Sequence, residues 1–186
     1  MPYSLRPILV ALWMISGAPA GAAADQTDPR LDDLFARLQA TDRPGEAEAL
    51  EERIWRIWIE AEDPGQSRVM ALGIRDMTLD RLPQALERFD RLVDMAPEFA
   101  EAWNKRATVH YLMGNYGASV RDIQRTLALE PRHFGALSGL GLIYDALEEP
   151  AAALRSFEAA LELNPHMDGP RQRVEELRRN LRGDRT

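Results

Sequence analysis

AEAWNKRATVHYLMGNYGASVRDIQRTLALEP, residues 100 to 131, is followed by FGALSGLGLIYDALEEPAAALRSFEAALELNP, residues 134 to 165. Laid over one another with a shift of 34 residues, the two stretches carry the same kinds of residue at the same phase, and a fixed period of this length marks a stacked helical repeat. The shift also runs backwards. Pro97, Pro131 and Pro165 share a phase, as do Gly73, Ala107 and Gly141; Val69, Trp103 and Leu137; Ala85, Ser119 and Ala153; and Phe89, Ile123 and Phe157. Each phase has a physical reason. A small residue at Gly73, Ala107 and Gly141 lets the first helix of each pair approach the second, as close-packed interiors require. The prolines lack an amide hydrogen and clash with the preceding turn, so they end the second helix of each pair. Phe89, Ile123 and Phe157 stand three residues before Leu92, Thr126 and Ala160, the spacing of one buried helical stripe.

With Trp103, Ala107, Gly114-Asn115-Tyr116 and Pro131 in the middle copy, and Leu137, Gly141, Tyr144, Ala153, Phe157, Ala160 and Pro165 in the third, residues 66–167 resemble the tetratricopeptide repeat, a helix-turn-helix unit. The resemblance implies an all-α fold, a right-handed superhelical stack of antiparallel helix pairs, with copies at 66–99, 100–133 and 134–167. Two departures carry expectations of their own. Arg106 stands where that family usually has leucine and Thr126 where it has alanine, so either the aliphatic stem of Arg106 packs while its guanidinium reaches Asp122 or solvent, or the residue orders a binding feature. Glu148-Glu149-Pro150 replaces the Gly-x-Tyr turn, which predicts a loop of different shape, with Pro150 opening the next helix.

On either side of the repeats the pattern continues in weaker form. Residues 25–65 hold two apolar stripes, Leu31, Leu34, Phe35 and Leu38, then Ala47, Leu50, Ile54, Ile57 and Trp58, split by the turn cluster Asp42-Arg43-Pro44-Gly45. Phe35, Leu38, Trp55 and Trp58 keep the phase of the later copies, so the segment reads as a degenerate fourth repeat, although Gln39 and Glu51 replace small residues and the breaker Pro64 is one position late. An unrelated helical hairpin is the alternative. Within 168–186, Pro170 can open a capping helix with Val174, Leu177 and Leu181 facing inward and Glu175, Arg178 and Arg179 facing water, followed by a soluble basic tail.

Residues 1–24 are of another kind. Arg6, the apolar run Ile8 to Ile15, and Ala22-Ala23-Ala24 before Asp25 make up a secretory signal peptide, with cleavage expected after Ala24 and a periplasmic or secreted product. The run is too short to span a bilayer, so no membrane span is expected after cleavage. Cysteine is absent from all 186 residues, which excludes disulfides and thiolate metal sites. A net charge of −7 argues against nucleic acid, because its binders cluster positive charge to displace counterions. Lys105 is the only lysine, a bias we read as coding rather than function.

A curved stack offers an extended inner wall to which each repeat contributes. If Trp103, Ala107 and His110 face the partner helix, then Glu101, Asn104, Thr108 and Tyr111 face that wall, and by the 34-residue shift so do Met70, Ile74, Met77, Ser138, Leu142 and Asp145. The alternative for Met70, Ile74 and Met77 is that the N-terminal helices cover them. Relatives resembling this family bind peptides or protein domains on this face, and apolar anchors at one end suit an extended or helical peptide. Some grip a terminal carboxylate there, but Met70, Ile74, Gly135 and Gly139 argue against that clamp. The expected partner is therefore a protein or peptide, in a non-catalytic adaptor, scaffold or assembly factor. Self-association through exposed helix ends, giving a homo-oligomer, is the competing reading, and an enzyme a remote one. His110, His133 and His166 lack zinc-ligand spacing, and neither a phosphate-binding glycine loop nor a glycine-flanked nucleophilic serine occurs, so no metal, cofactor or catalytic residue is expected.

Overall fold

Helix boundaries fall where the period puts them. The computed structural model describes residues 25–61 and 63–183, so the expected leader at 1–24 and the last residues of the basic tail lie outside the described part. After a 3-10 turn at Asp25–Thr27 the described residues form nine α-helices: α1 (Arg30–Ala40), α2 (Pro44–Ile59), α3 (Pro64–Thr78), α4 (Leu82–Met95), α5 (Ala100–Leu112), α6 (Tyr116–Leu129), α7 (Phe134–Ala146), α8 (Pro150–Leu163) and α9 (Asp168–Gly183). Pairs α3/α4, α5/α6 and α7/α8 are the three repeats, each packed on the next, and α9 packs against α8. Pro97, Pro131 and Pro165 each lie two residues beyond the last residue of α4, α6 and α8. Val174 and Leu177 of α9 close the last cluster against Phe157, and Arg178 pairs with Glu158 at 2.6 Å.

Inside each pair, the small residue meets a ring or a branched chain. A Cβ added to Gly73 would stand 2.6 Å from Phe89, and one added to Gly141 would stand 2.6 Å from Phe157. In the middle pair Ala107 and Ile123 share a cluster, so a larger residue in one helix is matched by a slimmer one in the other. The polar seam of that pair is satisfied too. Ser119 Oγ donates to the Ala107 carbonyl at 2.7 Å, and Arg106 donates to both oxygens of Asp122 at 2.8 and 2.7 Å. Arg106 also reaches Asp90 of α4 at 2.9 Å and lies over the Trp103 ring, so it ties three helices together.

The turn at Glu148 corrects the sequence reading. Asp80, Gly114 and Glu148, at one phase, all have left-handed backbone, with φ of 55°, 75° and 57°. The amide following each donates to a carbonyl five residues back: Arg81 to Asp76, Asn115 to His110 and Glu149 to Tyr144, at 2.8 to 2.9 Å. All three turns therefore have one shape. The helix-ending hydrogen bonds impose it, and aspartate and glutamate accept the conformation that glycine takes without strain.

The second correction concerns residues 25–65. Helices α1 and α2 form a hairpin with Leu31, Leu34, Phe35, Leu38, Leu50 and Ile54 among its buried side chains, but it does not stack on α3 as a further layer. Its core continues into Phe134 at the start of α7, with Leu163 and Met167 packed alongside. The reason lies in α3. Ala102 and Val109 of α5, and Ala136 and Ile143 of α7, are fully buried; at the same two phases α3 has Arg68 and Arg75, both exposed. Stacking a preceding helix there would strip two guanidinium groups of water without giving them partners. Pro64, read as a breaker ending the hairpin, instead opens α3 one residue after Asp63, whose side chain accepts from the Gln66 amide at 2.9 Å.

Candidate functional site

The inner wall is built by α3, α5 and α7, and the hairpin lies across part of it. Trp58 stacks on His133 with ring centroids 4.1 Å apart, and Trp55 meets His133 and Phe134 edge-on. The edge of Trp55 sits over Gly135, where an added Cβ would stand 2.5 Å from the ring, so only glycine admits it. Around these rings run polar ties. Gln39 donates to the Glu162 carbonyl at 3.0 Å, Asn164 donates to Glu51 at 2.9 Å, and His166 donates to the Leu38 carbonyl at 3.0 Å. Arg132 pairs with Asp32 at 2.6 Å, and Gln26 donates to the Glu98 carbonyl at 2.6 Å.

Beneath the two tryptophans sits a buried charge. Glu101 has 1 % of its surface exposed and accepts from Asn104 at 2.9 Å, while Lys105 Nζ stands 2.8 Å from its other oxygen. His133 Nδ1 accepts the Ala136 amide, which caps α7, so Nε2 carries the proton and donates to Glu101 at 2.8 Å. Burial alone would raise the carboxyl's pKa; the Lys105 charge and the His133 hydrogen bond outweigh it and hold the pKa at about 2. Lys105 also lies over the Trp55 ring, 5.2 Å from its centroid.

This arrangement divides the ten residues read as groove-lining. Glu101 and Asn104 are sealed under the hairpin and offer nothing to a partner, because they satisfy one another and His133. Asp145 is held by Arg173 of α9 at 2.7 and 2.5 Å. Thr108, Tyr111 and Ser138 are half-buried on the remaining wall, with the Tyr111 ring beside Tyr116, and Leu142 is 42 % exposed. Met70, Ile74 and Met77 are not sealed by the N-terminal helices as a group. Met70 is buried, while Ile74 and Met77 are half-buried.

Between α2 and α3 the structure opens a cleft of about 870 Å³, within the range of ligand sites. Trp55 and Ile59 of α2 face Met70, Ala71 and Ile74 of α3 across it, with Glu52, Arg56 and Glu60 on the α2 side and Ser67 on the α3 side. Sequence reasoning found the α3 half and missed the α2 half. Trp55 and Ile59 carried a signal for burial only, and nothing local to them says which surface they adjoin.

Comparisons with known proteins agree with this architecture. The family profile described as tetratricopeptide repeat matches residues 70–118 and 104–168. A TPR repeat-containing protein of Rhizobium etli is 33% identical over 164 residues, covering 88% of this chain and 80% of that one. Among solved structures, the Sgt2 TPR domain from Aspergillus fumigatus superposes with a TM-score of 0.62 at 19% identity, over 68% of this chain and 85% of that one. The first TPR of Spaghetti (RPAP3), solved bound to an HSP90 peptide, gives a TM-score of 0.60 at 18% identity, over 62% of this chain and 92% of that one.

Proposed function

The chain belongs to the tetratricopeptide repeat family, and from that premise we propose that it is a non-catalytic protein-interaction module that grips an apolar segment of its partner in the cleft between α2 and α3. The observation that carries this is an apolar cleft beside a sealed stretch of wall: Trp55, Ile59 and Ile74 stay half-exposed there while the neighbouring wall residues Glu101 and Asn104 are buried. Binding of an HSP90 peptide by the RPAP3 domain supports a peptide or protein as the partner class. A non-catalytic role is supported by Glu101, whose carboxylate is held ionised by Lys105 and sealed from any substrate.

A photo-reactive phenylalanine placed at Ile74 should cross-link the partner in native extracts, while the same residue at Gln124, exposed on α6, should not. Equal labelling from both positions would contradict the cleft as the site. We also propose that the protein works in the periplasm or outside the cell, supported by the Arg6, Ile8–Ile15 and Ala22-Ala23-Ala24 pattern. N-terminal sequencing of the native protein should begin at Asp25; a chain beginning at Met1 or Pro2 in the cytoplasmic fraction would refute export. Among the described residues no helix is long and apolar enough to cross a membrane.

Self-association has one observation of its own. Leu79, Met113 and Leu147, 34 residues apart, are exposed apolar side chains at the three intra-repeat turns. Sedimentation velocity at rising concentration separates the readings: an unchanging monomer removes self-association and leaves the cleft.

A further inference from the structure

Resting on the cleft as the partner site, we propose that its guest is a protein segment of two characters, an apolar stretch seated between α2 and α3 and a lysine- or arginine-rich stretch running on along α2. The groove does not end at the apolar cleft. A second cavity of about 810 Å³ opens between the first half of α2 and the loop joining α8 to α9, and Glu52 and Trp55 line both. The two openings therefore adjoin along one face of α2, with Ile59 towards one end and Glu48 towards the other. From Ile59 to Glu48 is about 16 Å at the helical rise per residue. An extended guest crosses that span in about five residues.

The two ends differ in charge. In the apolar cleft the signs balance, since Glu60 stands 3.8 Å from Arg30 and Arg56 lies one helical turn from Glu52. In the second cavity they do not. Asp168 is met by Arg171 at 3.4 Å, and His166 turns its Nε2 to the Leu38 carbonyl, which leaves Asp42, Glu48 and Glu51 beside Glu52. Glu51 accepts from Asn164 and Trp55, neutral donors that leave its charge in place. Among the described residues Asp42 and Glu48 enter no ion pair. Neighbouring basic groups are engaged elsewhere, Arg43 by Glu46 and Lys105 by Glu101. At 3.6 residues per turn Glu48, Glu51 and Glu52 stand within about 60° of Trp55 around α2, whereas Arg53 stands about 160° away on the far side. Even with Glu52 set against Arg56, the charges of Asp42, Glu48 and Glu51 go unanswered.

A row of carboxylates on a helix is by itself an ordinary solvated face. This row differs in two respects. It walls the continuation of an apolar groove, so a guest anchored on Trp55, Ile59 and Ile74 and running towards the start of α2 must pass it. Its glutamates also repel one another at i, i+3 and i+4 spacing, whereas Glu101 and Asp145 on the inner wall are each held by a basic side chain. A cationic stretch supplies the missing partners, and charge complementarity of that kind fixes the register and orientation of a guest. An acidic stretch meets repulsion at the same place.

The test uses the purified chain and labelled synthetic peptides in which a pair of leucines is joined, through a glycine-serine spacer of about five residues, to a run of lysine, of glutamine or of glutamate. Each is made in both chain directions. Fluorescence anisotropy should rank lysine above glutamine and glutamine above glutamate, with lysine about tenfold tighter than glutamine, as a few exposed ion pairs imply. The preference should shrink as salt is raised. In the double variant Glu48→Lys, Glu52→Lys the order should reverse, with the circular dichroism spectrum unchanged because both positions are exposed. Ala71→Trp, an exposed position that fills the apolar cleft, should weaken all three peptides about tenfold and keep their order, because it excludes the leucines. A wild-type ranking indifferent to the charged end would overturn the proposal, as would an order unchanged in the double variant or no binding of any peptide. If the ranking is flat while Ala71→Trp still weakens every peptide, the cleft stands as the partner site and only the basic end of the guest is removed. Undiminished binding in Ala71→Trp removes the cleft, and the two-part guest with it.

Discussion

Asp80 and Glu148 hold a left-handed backbone that Gly114 holds without strain, and this is the clearest place where one atom decides a local energy. A Cβ in that region costs roughly 1–2 kcal/mol against neighbouring backbone, partly offset in glycine by the larger freedom of its unfolded chain. Glu148→Gly should therefore stabilise the protein by about 0.5–1 kcal/mol, raising its melting temperature by ~1–4 °C. Circular dichroism melts of the two chains check it, and a lower midpoint for the variant would show that the Glu148 side chain contributes something its exposed position does not reveal. At this scale the sequence was legible where side-chain size carried the information. Gly73 with Phe89 and Gly141 with Phe157 announced the close approach of their helices, whereas the shared shape of three turns with Asp, Gly and Glu at one phase is a property of backbone hydrogen bonds that residue identity conceals.

Helices α5 and α7 are joined to the hairpin by a group that no local pattern discloses. Glu101 and Lys105 meet at i, i+4 spacing within α5, but His133 joins them only because α7 begins beside α5 beneath Trp55 and Trp58. Its folded pKa of about 2 lies below the ordinary value of 4.5, so Glu101 contributes stability above pH ~4.5 and loses that contribution progressively as pH falls towards 2. Glu101→Gln should cost about 3 kcal/mol at neutral pH, since it leaves the Lys105 charge without its buried partner. Urea denaturation of both chains between pH 7 and 2.5 should show the gap closing below pH ~4.5; a constant gap would mean that the glutamate is not ionised in the fold. The phase of the hairpin misled for a related reason. Phe35, Leu38, Trp55 and Trp58 have the spacing of a repeat, but spacing fixes which residues are buried within the hairpin and not which surface covers them. The telling signal was in α3, where Arg68 and Arg75 occupy phases that Ala102, Val109, Ala136 and Ile143 fill in the next two copies.

For the whole molecule, the question is whether the hairpin is a fixed wall or a loose plug. Trp58, Phe35 and Phe134 are almost fully buried where hairpin and repeats meet, and burial of three such side chains stabilises by about 5–9 kcal/mol. Detaching the hairpin would consume most of the stability of an ordinary domain, about 5–15 kcal/mol, so the cleft it forms with α3 is a standing feature of the native state. Everything said of partner recognition follows from that placement. The absence of cysteine makes a direct test simple: Gln39→Cys with Glu162→Cys, two exposed positions joined in the fold by a 3.0 Å hydrogen bond, treated with a short bismaleimide. With the hairpin folded across the inner wall, the two thiols are adjacent and an intramolecular cross-link should form rapidly and completely in the folded protein. A hairpin stacked on α3 as a fourth repeat would hold them about 25–30 Å apart, three layers of helices, and failure to cross-link would contradict the account.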